Sequence, residues 1–131
     1  MRDSIETDEF SHGVLPIPAA SRIGAFVASG NIFGYDFIAG SHPETADQQV
    51  QLMFGHLRSV ITAAGGSLED ILKITVHVRS DAVRGAVDSE WIKAFPDPAS
   101  RPARQTMVNA AMPGNRLVQC DMLAIIDSSR S

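Results

Sequence analysis

Between Thr45 and Ala64 the apolar residues Val50, Met53, Phe54, Leu57, Val60, Ile61 and Ala64 recur at spacings of three and four. That period places them on one face of an α-helix, and the pair Gly65 and Gly66 ends it. The rhythm then shortens. In KITVHVRS, residues 73–80, Ile74, Val76 and Val78 alternate with Lys73, Thr75, His77 and Arg79, the period of a half-buried strand. A second helix follows, capped by Ser80 or Asp81, with Val83, Val87, Trp91 and Ala94 or Phe95 as its apolar stripe. The PDP at 96–98 stops it, because proline has no amide to donate and biases the preceding residue away from helix. Upstream, RIGAFVAS (22–29) reads as one short strand closed by Gly30, followed by a loop rich in glycine and aromatics. Downstream, RQTMVNAA (104–111) reads as a strand, MPGN (112–115) as a turn and RLVQCDMLAII (116–126) as a longer strand.

In that last strand Val118, Cys120, Met122, Ala124 and Ile126 form one wholly apolar face. The other face sets Gln119 and Asp121 among Leu117, Leu123 and Ile125. It is too apolar for open water and too polar for a dry core, so it is expected to be covered by another subunit and wetted at a site. The order strand, helix, strand, helix, strand, strand predicts an α+β fold with both helices on one face of a mixed sheet. Strands joined through a helix should pair in parallel, and MPGN is short enough for a hairpin between the last two strands.

The length of 131 residues predicts one domain, 1–131, with residues 1–12 an acidic leader expected to be flexible. An apolar fraction of 44% and a charged fraction of 20% are those of a soluble globular protein. No apolar run is long enough for a membrane span, and the polar start MRDSIETDEFSHG has no secretory apolar core, so a cytoplasmic location is the expectation. A net charge of −4 without a Lys/Arg run makes nucleic acid a poor partner. The one local basic cluster, Arg101 with Arg104, suits a small anion. The single cysteine, Cys120, reads as a core thiol.

The segments SRIGAFVASGNI, AAGGSLEDILKITVHV, VDSEWIKAF and RPARQTMV, in this order and spacing, resemble the Rid (reactive intermediate deaminase) family, also called YjgF or L-PSP. The resemblance runs from about Gly13 to Ile126. It implies a chorismate-mutase-like fold assembled as a homotrimer, with active sites in the clefts between subunits. It also implies hydrolysis of enamines and imines of small 2-amino acids to ammonia and a 2-keto acid, without metal or organic cofactor. In that family the arginine of PAR, here Arg104, binds the substrate carboxylate, and its planar fork of donors suits two parallel hydrogen bonds. The structural alternative is an interface arginine paired with a neighbour's acid. Arg101 is read as a surface residue.

Other positions carry over unevenly. Ser29 stands at a strand end close to the cleft, and Thr106 where the backbone meets the substrate, with an ordinary strand threonine as its alternative. Ile17 replaces a frequent tyrosine, Asp88 an asparagine, and Gln119 the glutamate thought to position the attacking water. Glutamine can orient water but cannot take its proton. Asp121, two residues along the same strand face, is the candidate to supply the missing carboxylate, with a structural aspartate as its alternative.

His12, His42, His56 and His77 lack metal-ligand spacing, so no metal site is expected. His12 borders the expected cleft, while His56 and His77 are expected to face solvent or an interface. The loop GNIFGYDFIAG lacks a phosphate-cradling pattern, and its phenylalanines and Tyr35 either wall the cleft or pack the loop. The reading is a cofactor-free imine or enamine hydrolase acting on a small carboxylate. Its alternatives are a non-catalytic carboxylate binder or regulator and, less compatible with the acidic balance, an endoribonuclease or translation inhibitor.

Overall fold

The periodic stretch after Thr45 folds as helix α1, Ala46–Ala63, in a computed structural model that describes residues 1–127. The last four residues of the expected domain, 128–131, lie outside that range. Thr45 caps α1 by accepting the Gln48 amide at 3.2 Å, and all seven residues of the predicted stripe are buried. Strand β5, Ile71–Val78, buries Ile74, Val76 and Val78 as its alternation requires. A single 3₁₀ turn, Asp81–Val83, leads into α2, Arg84–Ala94, which buries Val87 and Trp91. The final strand, Val118–Ile125, buries every even position.

The remaining strands are β1 (Asp3–Ile5), β2 (Ala20–Ile23), β3 (Phe26–Ser29), β4 (Ile32–Phe33) and β6 (Ala103–Val108), with Val118–Ile125 as β7. The seven-stranded sheet runs β1-β2-β3-β7-β5-β6, and β4 continues beside β3 along the same edge of β7. The helices contact each other and share one face of this sheet. The result is the expected mixed α+β architecture.

Four expectations are corrected. RIGAFVAS is two strands, because Gly24 (φ +58) allows a two-residue turn that pairs Ile23 with Phe26. The acidic leader is not a flexible tail: β1 pairs with β2, and Phe10 is buried in the core. The loop after Gly30 contains β4, pairing Ile32 with Cys120 and Phe33 with Gln119. The expected β6–β7 hairpin does not form. Instead β6 lies parallel to one edge of β5 and β7 antiparallel to the other, so only the β5–α2–β6 unit pairs its strands directly.

The connection that makes this possible is 109–117, and two side chains hold it. Arg79, at the end of β5, donates from Nε to the Arg116 carbonyl at 2.8 Å and from Nη2 to those of Met112 and Gly114. Gln49 of α1, 1% exposed, donates from Nε2 to the Pro43 and Asn115 carbonyls and accepts the Leu117 amide, each at 2.9 Å. These partners satisfy backbone groups that a buried loop would otherwise leave unpaired. Gly34 packs so closely on this turn of α1 that a Cβ there would lie 1.9 Å from the Gln49 carbonyl oxygen. Both contacts fix the loops that flank the cleft described next.

Candidate functional site

Arg104 sits on the exposed edge strand β6, in register with the core residue Ile74, so its side chain is on the helix side of the sheet. Its guanidinium donates from Nη2 to Asp88 Oδ1 at 2.6 Å and lies 4.9 Å from the centroid of Trp91. Both partners come from α2, so Arg104 and Asp88 meet within one chain. Thr106 follows on the same side, in register with Val76. Arg101 is exposed, yet its Nε donates to the Phe95 carbonyl at 2.8 Å and closes the end of α2.

Asp121 and Gln119 stand on the opposite face of the sheet, paired with Thr75 and His77 of β5. One chain therefore does not bring Arg104 together with either of them. Burial raises the Asp121 carboxyl above its ordinary value, while His77 and Lys73 beside it pull the other way. Gln119, 7% exposed, accepts a hydrogen bond from Arg116 Nη1 at 2.9 Å through Oε1. Ser29 accepts the Met122 amide at 2.9 Å, patching the ladder where β3 ends. Cys120 is fully buried on the helix face, and that burial, with the Asp121 charge, pushes its thiol far up.

A concavity of about 940 Å³ lies between residues 11–17, the loop 30–42 and Arg116. Phe33, Tyr35 and Phe37 wall it, with Ile17 half exposed at its mouth. The Arg116 guanidinium carbon lies 3.6 Å from the Phe33 centroid. Its Nε is buried without a hydrogen-bond partner, and Arg116 makes no ion pair among the described residues. His12 and His42 also line this cleft, each with a buried, unpartnered Nε2. Burial first and the Arg116 charge second lower both imidazoles below the ordinary histidine value, with Glu6 opposing at His12.

Of the residues expected from sequence, Ile17 and His12 line this cleft and the aromatic loop walls it; Arg104, Asp88 and Thr106 cluster elsewhere. His56 is half-buried, with Nε2 2.8 Å from the Tyr35 carbonyl. Arg116 and His42 were not anticipated, although Arg116 carries the same cue as Arg104, an arginine at the mouth of an apolar strand. No group of three or more His, Cys, Asp or Glu side chains among the described residues could hold a metal ion. No helix among them is long and apolar enough to cross a membrane.

A mixed sheet with two helices on one face, an arginine on an open edge strand and a cleft beside the central β7 defines an α+β protein of the YjgF type. The sequence model described as Endoribonuclease L-PSP matches residues 18–126, and the chain belongs to that family, also known as Rid or YjgF. A RutC family protein of Aquifex aeolicus is 24% identical over 119 residues, 84% of this chain and 92% of that one. A 2-iminobutanoate/2-iminopropanoate deaminase of Dermatophagoides farinae is 25% identical over 79 residues, 60% of each chain. The solved structure of E. coli TdcF with bound serine superposes with a TM-score of 0.87 at 20% identity, covering 95% of this chain and 99% of that one.

Proposed function

We propose that the protein is a cofactor-free imine or enamine hydrolase acting on a small carboxylate-bearing intermediate, with Arg104 as the carboxylate grip. The observation that carries this reading is the placement of Arg104 on an open strand edge, in a chain of the Rid family. Asp88 occupies one nitrogen of the guanidinium and Trp91 backs it, which fixes the fork's direction while leaving other donors for a ligand. A relative named as an iminobutanoate/iminopropanoate deaminase and a fold relative holding serine support a small amino-acid-derived carboxylate.

The chemistry needs water to add to the carbon of the C=N bond. Water loses a proton as its oxygen bonds to carbon, and the nitrogen gains one, giving a carbinolamine. The C–N bond then breaks, ammonia leaves and a C=O bond remains. Asp121, its carboxyl raised above the ordinary value by burial, is the group proposed to take the proton; Gln119 or a backbone carbonyl holds the water. Because Arg104 and Asp121 face opposite sides of one sheet, this arrangement requires two copies to share a cleft, with Ile17, Ser29 and Gln119 from one and Arg104, Asp88 and Thr106 from the other. The homotrimer of the resemblance would supply that geometry.

Gln119 also favours a second reading, a non-catalytic carboxylate binder, because a carboxamide tied to Arg116 cannot accept a proton. The deciding experiment generates imino acids in place with an amino-acid oxidase and follows ammonia and keto-acid release. Acceleration that vanishes in Arg104→Ala supports the hydrolase. Unchanged turnover in Asp121→Asn removes Asp121 from the mechanism, and no acceleration over several imino acids leaves the binder.

A further inference from the structure

Arg116 is the least expected charge in the molecule. Its backbone is fixed on three sides: the Asn115 carbonyl by Gln49, its own carbonyl by Arg79, and the Leu117 amide by Gln49. Its side chain lies against Phe33, spends one nitrogen on the neutral Gln119 and leaves Nε buried without a partner. A partly desolvated cation without an acid is costly unless something else neutralises it. The surroundings indicate what that is. The rings of His12 and His42 line the same cleft with their Nε2 atoms buried behind its surface, and both are held toward their neutral forms. Among the side chains lining the cleft Arg116 is then the one full charge, with the Glu6 carboxylate near His12 outside the lining, and a single cation matches a monoanion. The walls are flat rings: Phe33 meets His12 edge to face at 6.0 Å, and Tyr35 meets His42 at 5.1 Å and Phe37 at 4.9 Å. Leu15, Ile17 and Phe37 are exposed apolar side chains at the rim. The volume of about 940 Å³ is within the range of small-molecule sites.

We propose that this cleft binds a monocarboxylate with a planar apolar body, aromatic or conjugated, whose carboxylate is held by Arg116 and whose plane lies against the rings of the 33–37 loop. A metal cation is the wrong occupant, since the resident arginine repels it and a third ligand is lacking among the described residues. This assignment stands on Arg116; the cleft shares Ile17 with the imine site proposed above, and the titration below distinguishes the two arginines.

The test uses unreactive probes with the full chain. Cinnamate and benzoate are titrated by calorimetry and by NMR of the histidine ring protons, alongside cyclohexanecarboxylate and benzamide. The expected result is saturable binding of cinnamate and benzoate that moves the His12 and His42 signals, weaker binding of cyclohexanecarboxylate and none of benzamide. Arg116→Gln should weaken cinnamate by about 10- to 100-fold, the usual worth of a hydrogen bond to a charged group. Arg116→Lys should recover part of it, and Arg104→Ala should weaken cinnamate less than Arg116→Gln does. Thermal melts at matched protein concentration identify a variant that has lost its fold, and the benzoate-to-benzamide comparison needs no variant. Absence of saturable binding, equal binding of benzamide, or equal binding of cyclohexanecarboxylate overturns the assignment. So does a loss that follows Arg104 instead of Arg116, which would place the carboxylate at the other arginine.

Discussion

Gln49→Leu removes the polar clip between α1 and the 109–117 connection while keeping a side chain of similar volume. Three groups lose their partner: the Pro43 and Asn115 carbonyls and the Leu117 amide, each now bonded at 2.9 Å. A buried group left unpaired costs about 1–3 kcal/mol. Pro43, Asn115 and Leu117 all border a surface cleft and can recover water, so each share falls at the low end. Leucine returns about 1 kcal/mol through its apolar surface. The expected loss is therefore about 2–3 kcal/mol, which for a chain of this size lowers the melting temperature by roughly 10 °C. Urea denaturation at fixed protein concentration should show a lower midpoint at unchanged slope. Because Gln49 also fixes the backbone on both sides of Arg116, the same variant should weaken cinnamate binding. A loss below about 0.5 kcal/mol would refute the reasoning, since the three groups would then have had water available all along.

Other consequences can be checked as directly. Gly34→Ala drives a Cβ to 1.9 Å from the Gln49 carbonyl, so it should destabilise by at least about 3 kcal/mol in chemical denaturation, whereas Gly85→Ala, with nothing within 4 Å, should not. His12 and His42 are held below their unfolded value, so the unfolded chain binds more protons and stability should fall as pH drops through about 6.5; His42→Asn should flatten that slope. Asp121 acts in the opposite sense, since its folded value is raised: Asp121→Asn should stabilise at neutral pH, with the gain fading as pH falls through that folded value. Cys120 should resist thiol reagents in the native state and react only at the rate of opening, because it is fully buried and its thiol is pushed up.

The helices and the two central strands were legible because each buries a face whose period the sequence states outright. The pairing was not. Apolar alternation in β6 and β7 says that each has a buried face, but not that β5 lies between them; that depends on Arg79 and Gln49 gripping the connection, contacts spanning 33 residues or more. Gly24 was a visible turn signal hidden inside an apolar run, and β1 was hidden by its charge. Arg104 was legible through the PAR motif. Its pairing with Asp88 and the placement of both on the far side of the sheet from Gln119 required the register. Arg116 was hidden because a single arginine after a turn looks like any solvated charge until Phe33 is seen beneath it.

Two departures from the family pattern gain a common explanation from these contacts. Asp88 touches Arg104, and Gln119 touches Arg116. A glutamate at 119 would stand 2.9 Å from the Arg116 guanidinium and neutralise it; glutamine keeps the hydrogen bond and leaves the charge for a ligand. Gln119→Glu therefore separates two accounts of this position. If glutamine merely marks a lost base, the variant gains a proton acceptor, and imine turnover should rise by about 10²-fold or more, with cinnamate binding unchanged. If glutamine keeps Arg116 available, the new ion pair competes with the ligand, and cinnamate should weaken about tenfold or more at neutral pH. Calorimetry at neutral pH beside the ammonia assay reads both. Unaltered cinnamate affinity would mean that Arg116 does not hold the carboxylate, however the turnover responds.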